Sequence, residues 1–167
     1  MDSEARLYAD LTTLGIAYEV VEHEAVFTVG ESERLHREIP GAHVKNLFLK
    51  DAGGRFWLVT VPAEFRVNLK ALPAAIGCKR VSFGNADDMM RLIGVTPGSV
   101  TPVAAINDED GCVTIVLEQG LAQGGRINVH PLRNTASMGI GGLDLVRALR
   151  HWGHEPLIAP IPALEPA

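Results

Sequence analysis

The sequence predicts an α+β domain in which a single curved, mixed β-sheet, partly barrel-like, is flanked by helices. Three observations carry this. Two apolar, β-favouring runs, His43–Lys50 and Phe56–Val61, are joined by Asp51-Ala52-Gly53-Gly54, whose glycines suit the left-handed positions of a hairpin turn. Elsewhere apolar residues recur at helical spacing, as in Leu7, Leu11 and Leu14. At 167 residues, 47% hydrophobic and 21% charged, the chain fits one globular domain with a proper core, and it shows neither repeats nor an interdomain linker.

The elements follow in order. Ser3 is the expected N-cap of a first helix that Gly15 stops, and Ala17–Glu22 reads as a strand. Thr28–Glu38 reads as a second helix capped by Thr28 or Ser32. Its charged composition leaves little apolar face, so it is expected to be loosely held and to gate a pocket. Pro40-Gly41 ends it and delivers the chain to the hairpin. Asn68–Ile76 is expected to be a short helix limited by Pro73 and ended by Gly77, followed by a brief strand, Arg80–Phe83. Asn85 caps a helix over Ala86–Ile93, closed by Gly94. Val100–Ile106 and Cys112–Leu117 read as extended, with a polar turn between them. Arg126–His130 and Thr135–Ile140 read as strands. A closing helix over Leu143–Trp152 is expected to bury Leu143, Val146, Ala148 and Leu149. The domain is thus expected over residues 1–155, and the proline-rich stretch 156–167 is expected to be an extended or disordered tail.

Composition excludes some classes. No apolar run approaches the length of a membrane span, and the acidic amphipathic N-terminus lacks the basic and apolar regions of a signal peptide, so a cytoplasmic protein without a membrane partner is expected. Cys78 and Cys112 have no C-x-x-C spacing and are expected as reduced core thiols. The formal charge of −5 argues against a surface coated for nucleic acid, yet it hides an asymmetry. Between His43 and Ser82, seven basic residues stand against Asp51 and Glu64, leaving that segment at +5 and the remainder at −10. A local basic patch on an acidic body suits a partner presenting a few phosphates in one place, although scattered surface charge would look the same.

Three polar clusters could carry chemistry. Lys45 and Asn46 interrupt an apolar strand, which makes it either a wet edge strand or the floor of a site. Strict alternation sends the two side chains to opposite faces, so both serve one pocket only if the strand is irregular or Lys45 curls round its edge. The run Gly94-Val95-Thr96-Pro97-Gly98-Ser99-Val100-Thr101-Pro102 is a stiff loop able to present backbone N–H groups, or simply a rigid connector. In Arg126-Ile127-Asn128-Val129-His130, alternation puts Arg126, Asn128 and His130 on one face. There is no G-x-S-x-G, P-loop, H-E-x-x-H or Rossmann glycine pattern. His151 and His154 make a weak case for a metal site.

Together these clusters resemble the YbaK/prolyl-tRNA synthetase-associated domain family of aminoacyl-tRNA deacylases. The likeness runs from about Leu7 to Leu149. Its landmarks are His43-Val44-Lys45-Asn46-Leu47-Phe48-Leu49, Lys79-Arg80-Val81-Ser82-Phe83, Leu92-Ile93-Gly94 through Pro102, and His130-Pro131-Leu132-Arg133-Asn134-Thr135-Ala136. Without synthetase catalytic segments, the chain is most similar to the free-standing branch that clears alanine wrongly attached to proline tRNA. The resemblance implies hydrolysis of a mischarged aminoacyl ester by water, with no metal, cofactor or covalent nucleophile. It implies that Lys45 holds the acceptor end, that Asn46 orients it, and that Gly98 and Ser99, with Thr101 in the same loop, bind the aminoacyl end or terminal ribose. His130 would line the pocket, and Lys50 and Arg80 would contact the acceptor stem. The implied partner is the tRNA(Pro) acceptor end with its terminal adenosine, with prolyl-tRNA synthetase or an elongation factor as a further partner of a monomer. Deacylation of Cys-, Ser- or Thr-tRNA, or a non-catalytic acceptor-end binding module, are the alternatives.

Overall fold

The computed structural model describes residues 2–25 and 29–164, with the side chains at 29–32 and 36 outside the description. The elements are α1 (Ser3–Thr13), β1 (Tyr18–Glu22), α2 (Val29–Glu38), β2 (Ala42–Asp51), β3 (Phe56–Pro62), α3 (Leu72–Ile76), β4 (Val81–Phe83), α4 (Ala86–Ile93), β5 (Val113–Glu118), α5 (Gln119–Ala122), β6 (Arg126–Val129), β7 (Ala136–Gly141), α6 (Gly142–His151) and β8 (Leu157–Ala159). One mixed sheet runs in the order β1-β7-β6-β2-β3-β5-β8, with β4 also paired to β2. Its path begins on β1 and ends on β8, so the sheet curves without closing. The α+β class with helices around one sheet is as expected; a closed barrel is not formed.

The hairpin is where the glycines put it. β2 and β3 pair antiparallel from Val44↔Pro62 to Lys50↔Phe56. β3 is central: Trp57 to Val61 are all buried, so the strand is apolar on both faces. One face packs on Leu7 and Leu11 of α1, Ile93 of α4 and Leu145 and Leu149 of α6. The other packs Leu49, Trp57, Val59 and Val61 on Leu72, Ile76 and Ile161.

The far edge of β2 positions the site. At Ala42–His43 it pairs parallel with β6, and at Leu49–Asp51 antiparallel with β4. Neither partner covers residues 44–47, so a gap opens in the sheet beside Lys45 and Asn46.

Several boundaries differ from expectation, each for a local reason. Asp2, not Ser3, caps α1: its Oδ1 accepts the Ala5 N–H at 2.8 Å, while Ser3 Oγ donates to Asn107 Oδ1. Of the caps expected for α2, Thr28 lies outside the described residues, and Ser32 falls inside the helix, which begins at Val29. α3 begins only at Leu72, because the Asn68 side chain accepts the Ala71 N–H in a preceding turn. Pro73 then sits in the first helical turn, where its missing donor costs nothing. Val100–Ile106 is not a strand. Pro102–Asn107 winds as a 3₁₀ helix with Val103 to Ile106 all buried, and a short apolar run reads alike in either form. In α6 the buried residues are Gly142, Leu145, Val146, Ala148 and Leu149, whereas Leu143, roughly 200° round the helix from Leu145, is 60% exposed. Cys112 is exposed and Cys78 half-buried, so neither is a core thiol.

Residues 157–164 are extended, but they are not outside the core. β8 pairs parallel with β5, Ile161 is buried, and Pro162 O accepts the Asn68 N–H. Pro156 and Pro160 flank the strand, at a sheet edge where no ladder donor is needed. α5 went unexpected because its cap is Glu118, whose carboxylate accepts the N–H groups of Gly120 and Leu121.

The α5–α6 junction admits no side chain at Gly142: a Cβ there would lie 1.9 Å from the Leu121 carbonyl oxygen. Backbone cannot swing aside as a flexible side chain can. Gly142→Ala is therefore expected to destabilise by about 2 kcal/mol, or roughly 4–8 °C in Tm, measured by thermal unfolding.

Candidate active site

A cavity of about 230 Å³ opens at the gap in the sheet. Four adjacent strands floor it. Ser137 comes from β7, with His23 just beyond the end of β1. Asn128 and Val129 come from β6, with His130 directly after it, and His43, Val44 and Asn46 come from β2. Gly98, Asn134 and Leu35 of α2 complete the lining.

Asn46 is a brace. Thr60, its direct cross-strand partner, donates its hydroxyl to Asn46 Oδ1 at 2.6 Å. Asn46 Nδ2 donates to the Val100 carbonyl at 3.0 Å. The carboxamide thus fastens the Gly98–Pro102 loop to the hairpin, in an orientation its two partners fix. Gly98 lines the cavity so closely to Asn134 that a Cβ would meet Asn134 Nδ2 at 3.1 Å. Ser99 is buried and donates its N–H to Thr96 O at 2.9 Å, so that donor is spent inside the turn. Thr101 is fully buried with its hydroxyl unpartnered.

Asn128 carries the opposite signal. It is 5% exposed, and its Nδ2 donates to Pro40 O and Ala42 O, which fixes the amide orientation. Its Oδ1 is buried with no hydrogen-bond partner. The lining residue thus keeps one buried acceptor that no protein group bonds.

His130 directs Nδ1 toward the Ala136 carbonyl at 3.4 Å, so that nitrogen carries the hydrogen and Nε2 is an acceptor in the neutral ring. Burial pushes its pKa below the ordinary histidine value; the Ala136 bond pulls the other way without cancelling this, and neighbouring His23 adds the smallest, downward, contribution. The ring is neutral at pH 7. His23, unnoticed in the sequence, sets Nδ1 on Glu24 O at 2.8 Å and Nε2 on Ser137 Oγ at 2.9 Å.

The remaining sequence-predicted residues lie elsewhere. Lys45 is half-buried and does not line the cavity; alternation sends it to the face of Leu47 and Leu49. Lys50 is exposed and sits 5.5 Å over the Phe56 ring. Arg80, also exposed, is in the turn leading to β4. Lys50 is four residues along β2 from Asn46, about 13 Å at strand rise, beyond contact with a group in the cavity. Asn128 stood in a cluster picked out from alternation and His43 opened the His43–Leu49 motif, but His23 and Ser137 carried no spacing signal. Asn134 was legible only as part of the His130–Ala136 motif.

His154 is not arranged as a metal ligand: it is buried, with Nε2 2.8 Å from the Asp108 carbonyl oxygen. Among the described residues no group of three or more His, Cys, Asp or Glu could hold a metal ion, and no helix is long and apolar enough to cross a membrane.

The family model of the aminoacyl-tRNA editing domain matches residues 23–148. The chain is 38% identical over 159 residues to the Bos taurus protein named prolyl-tRNA synthetase associated domain-containing protein 1, covering 92% of each. It is 34% identical over 155 residues to the prolyl-tRNA editing protein ProX of Acetoanaerobium sticklandii, covering 92% of this chain and 94% of that one. Among solved structures it shares its fold with a hypothetical protein at a TM-score of 0.73 and 20% identity, covering 95% of this chain and 99% of the other.

Proposed function

The chain belongs to the aminoacyl-tRNA editing domain family, and on that premise we propose that it hydrolyses the ester of mischarged tRNA(Pro), above all Ala-tRNA(Pro), by direct attack of water. The observation that carries this reading is the cavity's pairing of small size with an orphaned acceptor. Its 230 Å³ fall below the about 300–1,000 Å³ of pockets that enclose a drug-sized ligand, so a short aminoacyl group enters while the adenosine stays outside. Neutral His130 offers Nε2 as an acceptor for the α-ammonium of that group, and Asn128 Oδ1, closed to solvent in this structure, becomes a second acceptor when the lining opens on binding.

An aminoacyl ester is already activated, so orienting water and stabilising the developing oxyanion suffice. Gly98 faces the ester from the stiff loop, and Asn46 keeps that loop in place. Lys45 reaches the acceptor end by carrying its ammonium round the open edge of β2. Lys50, farther along β2, and Arg80, in the turn before β4, are placed to meet acceptor-stem phosphates instead. Proline is rejected by the shape of the lining rather than by total volume, whereas glycine, one methyl smaller, loses only about 1–3 kcal/mol.

Single-turnover deacylation of alanyl-, cysteinyl- and seryl-tRNA(Pro) tests this. Alanine release is expected to be fastest, and Lys45→Ala to slow it about tenfold, equivalent to 1.4 kcal/mol. Binding of every substrate without ester loss would make the protein an acceptor-end binding module. Cysteine release as fast as alanine release would remove the alanine assignment.

A further inference from the structure

We propose that Ser137 and His23 form a hydroxyl–imidazole relay that takes the proton from the attacking water. This rests on the deacylase reading above and supplies the proton acceptor that reading leaves unnamed.

The geometry fixes the direction of transfer. His23 Nδ1 lies 2.8 Å from the Glu24 carbonyl, an acceptor, so Nδ1 carries the hydrogen. In the neutral ring Nε2 is then a lone pair, 2.9 Å from Ser137 Oγ, and the serine hydroxyl donates to it. A backbone carbonyl holding Nδ1–H, with the other nitrogen accepting from a hydroxyl, is how a base is oriented for proton transfer. Both residues line the cavity, and Ser137 is 8% exposed, at its floor rather than its mouth. The backbone reinforces the pair: β1 and β7 are antiparallel neighbours with Val21↔Ser137, and the His23 N–H donates to Thr135 O at 2.9 Å.

The step balances without a further reactant. Water oxygen bonds to the ester carbonyl carbon as its proton passes to Ser137 Oγ, and the serine's own proton passes to His23 Nε2. When the tetrahedral intermediate collapses, the bond from carbon to the ribose oxygen breaks. The imidazolium then returns the proton through Ser137 to that oxygen. Amino acid and free tRNA leave, and both side chains are restored.

The test is single-turnover hydrolysis of Ala-tRNA(Pro) by wild type, Ser137→Ala, Ser137→Thr and His23→Gly, with substrate binding and thermal unfolding measured alongside. Ser137→Ala is expected to slow the chemical step by about 100-fold with binding unchanged, and Ser137→Thr to keep most of the rate. His23→Gly is expected to lose a similar factor and recover part of it with added imidazole. Folded Ser137→Ala and His23→Gly variants hydrolysing at the wild-type rate would overturn the relay while leaving the deacylase reading intact. An alanyl-protein intermediate trapped by acid quench and located on Ser137 would also overturn it, making the serine a nucleophile. A wild-type protein that releases no amino acid would overturn the deacylase reading and the relay with it.

Discussion

Replacing Asn46 with alanine is expected to lower kcat/KM for deacylation about 100-fold, the size of loss that a displacement of about 1 Å at a reacting centre produces. The change removes two hydrogen bonds at once. Thr60, fully buried, loses the acceptor for its hydroxyl, and the Val100 carbonyl loses the donor that ties its loop to β2. Gly98, two residues before Val100, is thereby released from the cavity wall. Orphaning the Thr60 hydroxyl costs about 1–3 kcal/mol of stability, so the variant is expected to fold but unfold earlier. Thr60→Val separates the two effects. It removes the hydroxyl and leaves the Asn46–Val100 bond, so most of the activity is expected to remain. If the Asn46→Ala and Thr60→Val proteins lose activity equally, the brace on the loop is not what Asn46 contributes.

That brace bears on what the sequence could disclose. The Lys45-Asn46 pair stood out because two polar residues interrupted an apolar strand, and of the two Asn46 lines the cavity while Lys45 does not. What alternation could not resolve is that β2 changes partners along one edge, from β6 to β4, leaving a gap where the cavity forms. The cavity is assembled across β1, β7, β6 and β2, strands distant in sequence and adjacent only in the sheet. His23 and Ser137 are 114 residues apart, so no local pattern links them. The hairpin, the Asn85-capped helix and the glycine stops were legible because each rests on turn or cap chemistry within a few residues. The 3₁₀ turn at Pro102–Asn107 was not, since burial on all sides erases periodicity. Nor was β8, whose pairing with β5 depends on a partner some forty residues earlier. Local chemistry shows in the chain; the pairing of distant edges does not.

The same hairpin carries the second large effect, at its turn. Asp51 is 5% exposed and its carboxylate collects four N–H donors: Gly53 N at 2.9 Å, Arg55 N at 3.0 Å, Trp57 Nε1 at 3.3 Å and Lys79 N at 3.4 Å. Burial by itself would raise the pKa of this group, but the donors from Arg55, Trp57, Lys79 and Gly53 together outweigh it and hold the pKa below the ordinary value of 3.8. A folded-state pKa below the unfolded one gives stability that is complete above the ordinary carboxylate range and lost as pH falls through the folded value. Urea unfolding of wild type is therefore expected to weaken as pH drops below 3.8. Asp51→Asn keeps the shape without the titrating group, so the wild-type advantage over it is expected to shrink over the same range. An advantage constant with pH would show that the charge is not what the donors stabilise. Asp51→Ala strips all four donors of their acceptor and is expected to cost about 4 kcal/mol, or roughly 8–16 °C in Tm. Because Asp51 also fixes the backbone of Arg55 and Lys79, two cations of the basic segment, the same variant is expected to bind tRNA more weakly at low salt. That loss should fade as added salt screens the phosphates. The one buried anion in a basic stretch thus sets where its cations stand.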